Sequence, residues 1–247
     1  MLQHDARGRF DPVLTTKIME RYGVTSLCAP PTAYRMMVLE DLTKYDLGEL
    51  RHCTGAGEPL NPEVMKIWED STGLTIYDGY GQTETVLLVG NFRCLPVRPG
   101  SMGKPAPGFN VAIVDEDGKE LPHGEEGQIA VRVKSERPVG LFREYWKYPE
   151  GMEASFYGDW YLTGDKAYKD ADGYFWFVGR ADDVIISAGY RIGPFEVESA
   201  LIEHPAVAES AVVASPDPVR GEVVKAFVIL PPVTYPRMSW RSAFKTT

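Results

Sequence analysis

The segment Tyr77–Glu84, with the sequence YDGYGQTE, concentrates groups that can bind a phosphorylated ligand. Its two glycines permit positive φ angles and a close approach of the backbone to a ligand. The amide of Gln82 and the hydroxyl of Thr83 can hydrogen-bond to oxygen atoms. Glu84 is a hard oxygen ligand of the kind that Mg²⁺ accepts beside a nucleotide. The segment therefore predicts a tight loop that serves nucleotide chemistry.

Four other segments also place ligand-competent residues where a strand or a turn ends. They are Gly55–Pro59, Trp160–Asp165, Gly179–Asp183 and Ser187–Gly193. The backbone of the first would form a wall beside a flat ring, with Glu58 near an exocyclic amine. The alternative for this segment is an ordinary β-turn. It is not a dinucleotide fingerprint, because Leu60 stands where the third glycine should be.

Single residues suggest the chemistry of the remaining three segments. Asp165 follows a glycine, and its carboxylate can accept two hydrogen bonds from a vicinal diol such as that of a nucleotide ribose. Alternatively, it satisfies its own turn at a strand end. Arg180 would clamp ribose or phosphate oxygens, or else belong to an exposed, salt-bridged hinge. Gly189 permits close approach, and Arg191 would supply charge to a phosphate.

The elements around these segments follow from apolar spacing and from turn residues. Helical spacing over Pro12–Tyr22, with Asp11 as the N-cap and Gly23 as the stop, predicts a first helix. Strands and helices then alternate up to Tyr77, which indicates an α/β domain whose ligands bind at the carboxyl ends of strands. The expected strands are 24–29, 50–54 and 74–77, and the expected helices are 33–39 and 62–71.

After residue 100 short β-like runs alternate with turns, which predicts a compact β subdomain. A polar junction at 179–183 then places a domain boundary near Arg180. The strands expected in this half are 111–114, 128–133, 174–178, 208–215 and 223–230, and the expected helix is 194–203. Residues 233–247 show no clear apolar period and are predicted to be a disordered tail.

The 247-residue chain carries 26 basic and 35 acidic residues, a net charge of −9. This balance argues against a polyanion-binding surface, so nucleic acid is not an expected partner. The three cysteines show no metal or disulfide spacing, which favours a reducing compartment. No apolar run approaches the ~20 residues needed to cross a bilayer, and the N-terminus lacks the apolar core of a signal peptide. We therefore expect an intracellular protein, in the cytoplasm or the mitochondrial matrix.

In this order and with these spacings, the five segments resemble the adenylate-forming superfamily. That superfamily comprises AMP-forming acyl-CoA synthetases, luciferases and the adenylation domains of peptide synthetases. The resemblance runs from about Phe10 to Pro232. The segments most similar to medium-chain and acetyl-type acyl-CoA synthetases are Pro30–Arg35, Gly55–Pro59, Tyr77–Glu84 and Ser187–Glu198.

The resemblance implies an α/β fold of two parts. Residues 1–179 would form the C-terminal part of the large adenylate-forming domain, with an α/β sheet and a distorted β-barrel subdomain at about 100–179. A partial small α+β domain would follow at 180–232, with a hinge at 180–183. Residues 233–247 would be a divergent tail.

The resemblance also implies which residues bind the nucleotide. They would be Gly57, Glu58, Pro59, Asp78, Gly79, Tyr80, Thr83, Asp165 and Arg180. Within this set, the first three would line the adenine, and Thr83 would hold the α-phosphate. Asp165 and Arg180 would bind the ribose hydroxyls.

Further roles are implied for residues outside the nucleotide set. The catalytic residues would be Thr83, Glu84 and Arg191, with Glu84 as the Mg²⁺ ligand. Asp182 would be the hinge about which the small domain turns. Gly189 would line the tunnel for the pantetheine of coenzyme A.

The implied reaction has two steps. An acyl carboxylate attacks the α-phosphorus of ATP and expels pyrophosphate, and the thiol of coenzyme A then attacks the acyl-adenylate and releases AMP. ATP, AMP, Mg²⁺ and coenzyme A are thus the implied ligands. Among acyl substrates, a short- to medium-chain fatty acid is favoured over acetate or an aryl acid, and the oligomeric state is left open.

Two elements of the family pattern do not occur in these 247 residues. No phosphate loop of the T-S-G-T-T-G-x-P-K type precedes Tyr77, and Lys245 does not lie in the P-K-T-x-S-G-K setting of the family's C-terminal lysine. Losing one preorganised hydrogen-bond donor typically lowers the rate about 10²- to 10³-fold. The loss of both the loop and the lysine should cost more, so we expect this chain alone to have no ligase activity. A fragment of an acyl-CoA ligase is therefore expected. The alternatives are a non-catalytic AMP-binding protein and an unrelated α/β protein.

Overall fold

The computed structural model describes residues 10–134, 137–204 and 206–230. Within these ranges the chain forms five α-helices, one 3₁₀ turn and three β-sheets. The α-helices are α1 (Pro12–Tyr22), α2 (Pro31–Met37), α3 (Pro62–Thr72), α4 (Pro149–Ala154) and α5 (Pro194–Ile202), and the 3₁₀ turn is Leu42–Lys44. The predicted tail, 233–247, lies outside the described residues. No helix in the described ranges combines the length and the apolarity that a membrane span requires.

The first sheet confirms the predicted α/β arrangement. Its strands, in spatial order, are β1 (Ser26–Ala29), β2 (His52–Ala56), β3 (Ile76–Gln82), β4 (Val86–Gly90) and β5 (Lys104–Pro105). β1, β2 and β3 are parallel, whereas β4 and β5 pair antiparallel. Ala56 pairs with Gly79, so the carboxyl end of β2 lies directly beside β3. The segments at 55–59 and 77–84 are thereby neighbours in space.

The capping residues of α1 act as predicted. The Asp11 side chain accepts a hydrogen bond from the Leu14 backbone N–H, which satisfies one of the free donors of the first turn. Gly23 ends the helix in the left-handed conformation, with a φ of 55°. The predicted bounds of this helix are confirmed. They could be predicted because local interactions fix both ends.

A buried aromatic pair fixes α2 and α3 against the first sheet. Tyr34 and Trp68 are both fully buried, and their rings meet edge to face with centroids 4.9 Å apart. The Tyr34 hydroxyl donates to the Thr54 carbonyl oxygen at 3.0 Å. This bond ties α2 to β2, immediately before the segment at 55–59.

The second sheet contains a long strand that the sequence did not predict. Its strands are β6 (Val111–Val114), β7 (Glu126–Arg132), β8 (Phe156–Tyr157), β9 (Trp160–Lys169) and β10 (Phe175–Arg180). They follow the order β10-β9-β7-β6, and β8 pairs with β9. Asp165 lies in the middle of β9 and pairs with Arg180 of β10, so it is not a strand-end residue that satisfies its own turn.

The third sheet and α5 form the last described part of the chain. The strands are β11 (Ile185–Ser187), β12 (Tyr190–Ile192), β13 (Glu209–Asp217) and β14 (Gly221–Ile229), in the order β12-β11-β14-β13. The Asn61 side chain donates to the Ser199 carbonyl oxygen at 3.4 Å. Arg35 and Glu209 form an ion pair at 3.6 Å. These two contacts link α5 to the start of α3 and β13 to α2.

The segment predicted to be a tight loop is mostly a strand. β3 covers 76–82, and only 83–85 form the turn to β4. Gly79 and Gly81 are not in the positive-φ region, but they do allow close approach of the backbone, since a Cβ on Gly81 would lie 1.7 Å from the Val86 carbonyl oxygen. The positive φ of this turn falls on Val86, at 53°, which is a strained conformation for a β-branched residue.

Candidate functional site

A cavity of about 370 Å³ opens where the first and second sheets meet. Its lining residues are Gly57, Glu58, Pro59, Asp78, Gly79, Tyr80, Gly81, Gln82, Met102, Asp165, Phe177 and Arg180. Eight of the nine residues predicted to bind a nucleotide are among them. The ninth, Thr83, is exposed in the turn between β3 and β4 and does not line this cavity.

Asp165 is the most enclosed of the predicted ribose ligands, with an exposed fraction of 6%. Its Oδ2 accepts hydrogen bonds from the Tyr80 hydroxyl at 2.6 Å and from Gln82 Nε2 at 2.9 Å. Burial raises the pKa of the Asp165 carboxyl, while the hydrogen bond from Tyr80 and the charge of Arg180 oppose that rise. Side chains of β3 thus hold a carboxylate of β9 at the cavity wall.

Arg180 lies at the end of β10, and its side chain is mostly exposed. Its Nε contacts Asp182 Oδ1 at 3.2 Å, and this hydrogen bond is the main reason that the Arg180 pKa is raised. The pKa of Asp182 is lowered, first by its own backbone N–H and then by Arg180. The predicted hinge residue is therefore the ion-pair partner of a cavity residue.

Asp78 places a second buried carboxyl at the cavity. Its Oδ1 has no hydrogen-bond partner within the described part of the chain, and its exposed fraction is 6%. Burial raises the pKa of this carboxyl from 3.8 to about 7, although backbone N–H groups of Gly79 and Leu60 oppose the rise. The cavity wall therefore contains a carboxyl group that titrates near neutral pH.

Glu58 is held by polar residues of α2. Its Oε2 accepts from the Thr32 hydroxyl at 2.6 Å and contacts Arg35 at 3.2 Å. Arg35 also contacts Glu209 of β13 at 3.6 Å. The Arg35 guanidinium thus connects Glu58, which is predicted to lie near adenine, to the third sheet.

Glu84 borders a second cavity of about 360 Å³, which shares Gln82 and Arg180 with the first. Glu84 Oε1 accepts from the Tyr145 hydroxyl at 2.9 Å. Within the described ranges, no three histidine, cysteine or acidic side chains are close enough together to hold a metal ion. A lone carboxylate suits Mg²⁺ that is held mainly by phosphate oxygens and water, which is the usual pattern at nucleotide sites.

The remaining predicted residues, Gly189 and Arg191, are not brought to either cavity. Both are exposed in the hairpin of β11 and β12. Gly189 has a φ of 85°, and a Cβ built on it would meet nothing within 4 Å. The backbone conformation, and not a close approach within the chain, is therefore what favours glycine here.

Four lining residues are outside the predicted nucleotide set, and they are Gly81, Gln82, Met102 and Phe177. Gln82 was included in the predicted loop as a hydrogen-bonding group, but its link to Asp165 depends on the pairing of distant segments. Met102 and Phe177 are apolar, and an isolated sequence gives no signal that distinguishes such residues from the core. Their positions follow from the meeting of two sheets, which no local pattern encodes.

Comparison with protein-family models gives two matches. The model of AMP-binding enzymes matches residues 2–146, which is more than half of the chain. The model of the AMP-binding enzyme C-terminal domain matches residues 196–240. The two matches follow the order expected from the sequence.

Curated relatives are similar over most of the chain. It is 59% identical over 224 residues to a rat protein named acyl-coenzyme A synthetase ACSM3, mitochondrial. It is 57% identical over 223 residues to the mouse protein named acyl-coenzyme A synthetase ACSM4, mitochondrial. These matches cover 91% and 90% of the chain but only 39% and 38% of the relatives. The chain therefore spans about two fifths of the length of the curated relatives it matches.

Solved structures of a CoA ligase and of an acyl-CoA synthetase are also similar to most of this chain. An anthranilate CoA ligase, AuaEII, in complex with anthranoyl-AMP is 38% identical with a TM-score of 0.84, over 92% of this chain and 43% of that one. An acyl-CoA synthetase from Brucella canis is 47% identical with a TM-score of 0.65, over 93% of this chain and 42% of that one. With the family matches, these similarities show that the chain belongs to the AMP-binding enzyme family of the adenylate-forming superfamily, as a partial chain similar to its acyl-CoA synthetases.

Proposed function

We propose that this chain is a part of an AMP-forming acyl-CoA ligase and forms the adenosine-binding wall of its active site. The single observation that carries the proposal is the convergence of eight predicted residues on one cavity. Adenine would lie between the Gly57–Pro59 backbone and the ring of Tyr80. The ribose would lie against Asp165 and Arg180, which pair across β9 and β10.

The phosphates would continue from the ribose towards the turn after β3. Thr83 is exposed there, so its hydroxyl is free to reach an α-phosphate oxygen. Glu84 would be the protein ligand of Mg²⁺, which supplies charge neutralisation to the phosphates when bound. Arg191 and the CoA contact at Gly189 would require the third sheet to turn about Asp182 relative to the other two.

An acyl carboxylate would attack the α-phosphorus of ATP and expel pyrophosphate, and the thiol of coenzyme A would then attack the acyl carbon of the acyl-adenylate and release AMP. This chain's residues would bind adenosine and direct polar groups at the phosphates, and none would act as a nucleophile. We propose a short- to medium-chain fatty acid as the acyl substrate. The names of the curated relatives support a mitochondrial location, and we propose the matrix.

The 247-residue chain is expected to bind AMP with a Kd below about 1 mM, as measured by titration calorimetry. Asp165→Ala is expected to weaken binding about 10- to 100-fold, because it removes a charge-assisted hydrogen bond to the ribose. Asp159→Ala is the matched control. That carboxylate pairs with Lys134 at 2.8 Å and does not line the cavity, so AMP affinity should not change.

Two results would contradict the assignment of the site. One is a wild-type chain that shows no heat of AMP binding while it remains folded by circular dichroism. The other is an Asp165→Ala chain that binds AMP as tightly as the wild type.

The purified chain is also expected to form no acyl-CoA from ATP, coenzyme A and butyrate or octanoate. The phosphate-loop sequence of the family does not occur in its 247 residues, and that loop would supply several of the donors needed at the phosphates. Thioester formation measured by mass spectrometry would overturn this expectation. AMP binding without thioester formation is the result that a non-catalytic nucleotide-binding protein would also give.

A further inference from the structure

The side chain of Gln82 is hydrogen-bonded on both sides of its amide. Its Nε2 donates to Asp165 Oδ2 and to the Thr163 carbonyl oxygen, each at 2.9 Å. Its Oε1 accepts from the Tyr161 hydroxyl at 3.1 Å. Both amide protons are therefore used inside the protein, and Gln82 has no donor left for a ligand.

We propose that Gln82 is a positioning residue which, with Tyr161 behind it, orients the Asp165 carboxylate towards a ribose diol. The proposal rests on the proposed function, because it takes Asp165 as the ribose ligand. It assigns to Gln82 a role in selecting ribose that does not require contact with the nucleotide.

The partners of Gln82 fix which way its amide faces. Thr163 O and Asp165 Oδ2 are both acceptors, so the reversed amide would direct its oxygen at two acceptors and lose both bonds. Tyr161 occupies the other side of the amide with its hydroxyl. All three partners belong to β9, whereas Gln82 is the last residue of β3. One amide thus joins the first sheet to the second beside the cavity.

The two carboxylate oxygens of Asp165 therefore differ in the hydrogen bonds that they accept. Oδ2 receives the Tyr80 hydroxyl and the Gln82 amide, whereas no donor from the described part of the chain reaches Oδ1. Oδ1 is therefore the oxygen that a ribose hydroxyl would contact. The vicinal diol would then be shared between Asp165 Oδ1 and Arg180, not held by both carboxylate oxygens.

The charged and titratable groups around Asp165 come from three directions. Tyr80 faces it from β3, Tyr161 lies along β9, and Arg180 and Asp182 face it from the end of β10. Tyr80, Gln82 and Arg180 favour the ionised carboxylate, and burial opposes it. Removal of the Gln82 donor should therefore make Asp165 easier to protonate as well as less well oriented.

The test compares AMP with 2′,3′-dideoxy-AMP, titrated calorimetrically into the full 247-residue chain. The wild type should prefer AMP. Gln82→Leu keeps the side-chain size and should weaken AMP binding about tenfold while it leaves the affinity for dideoxy-AMP unchanged. A merely structural role would weaken both nucleotides to the same extent, so the ratio of the two affinities separates the two explanations.

A milder variant covers the case in which Gln82→Leu does not fold. Tyr161→Phe keeps the ring in the core and removes only the hydroxyl that anchors Gln82 Oε1. It should lower the preference for AMP about threefold, in the same direction. Tyr168→Phe is the matched control, since that residue is on the same strand but its ring stacks on Trp176. It should leave the preference unchanged.

A second readout does not depend on nucleotide. Carbon-13 NMR titration of the Asp165 carboxyl should give a higher pKa in Gln82→Leu than in the wild type. Equal losses for both nucleotides, an unchanged preference for AMP or an unchanged Asp165 pKa would overturn the proposal. If the wild type binds no AMP, the proposed function fails, and the Asp165 titration alone still decides whether Gln82 acts on this carboxylate.

Discussion

Asp78→Asn is expected to stabilise the folded chain by up to about 4 kcal/mol at pH values above about 7, and to change stability little near pH 4. The asparagine side chain has the same shape but carries no charge. The cost that it removes is the burial of a carboxylate, for which the backbone N–H groups of Gly79 and Leu60 compensate only in part. This is the largest gain in stability expected from a single change at the cavity.

The direction of this pH dependence follows from the pKa of the Asp78 carboxyl in the folded and the unfolded chain. Burial raises it from 3.8 to about 7 in the folded chain, and the unfolded chain retains the ordinary value. Between about pH 4 and pH 7 the folded chain therefore binds a proton that the unfolded chain has released. The contribution of Asp78 to stability is fully present below about pH 4 and is lost as the pH rises to about 7.

Urea unfolding of the wild type and of Asp78→Asn across this pH range measures the effect. The difference between their free energies of unfolding should grow from near zero to several kcal/mol. Taking the difference between the two chains removes the contribution of the other carboxyls, Asp165 among them. A difference that stays constant with pH would show that Asp78 is not a buried carboxyl with a raised pKa.

Helix bounds could be predicted from the sequence wherever both ends carry local signals. Asp11 and Gly23 bound α1, and Asn61 and Gly73 cap α3, so these helices depend on residues within a few positions. Strand β9 was not predicted, because its ten residues alternate only partly and contain polar side chains. One of them, Asp165, faces a cavity that forms only when two sheets meet.

The candidate site was predictable as a set of residues but not as a set of contacts. The five segments identified the residues because each combines glycine with charged or amide groups. The pairing of Gln82 with Asp165, 83 positions apart, is a tertiary contact without a local pattern. Two properties were expected of Gly79 and Gly81. The positive φ does not occur, whereas the close approach of backbone does, and the approaching strand is β4.

Gly81→Ala is expected to destabilise the chain by at least about 3 kcal/mol, at the upper end of the usual cost of overpacking. A Cβ on Gly81 would lie 1.7 Å from the Val86 carbonyl oxygen, 2.7 Å from its carbonyl carbon and 3.1 Å from Leu87 Cα. All three are backbone atoms, so no side-chain rotation relieves the clash. The ladder between β3 and β4 would have to open at the turn that carries Thr83 and Glu84.

Gly55→Ala is the matched control, because it lies on the neighbouring strand of the same sheet. A Cβ there would make only ordinary contacts of 3.5 Å with Asp78 and Ile76, and its φ is not positive. The free energy of unfolding of Gly55→Ala should stay within about 1 kcal/mol of the wild-type value, whereas the urea midpoint of Gly81→Ala should fall sharply below that of Gly55→Ala. Equal midpoints for the two variants would mean that β4 does not press on Gly81. The Val86 carbonyl can approach β3 this closely only because Gly81 carries no Cβ. Gly81 would thus be required by the packing of the protein, whereas the Thr83 side chain in the adjoining turn is exposed.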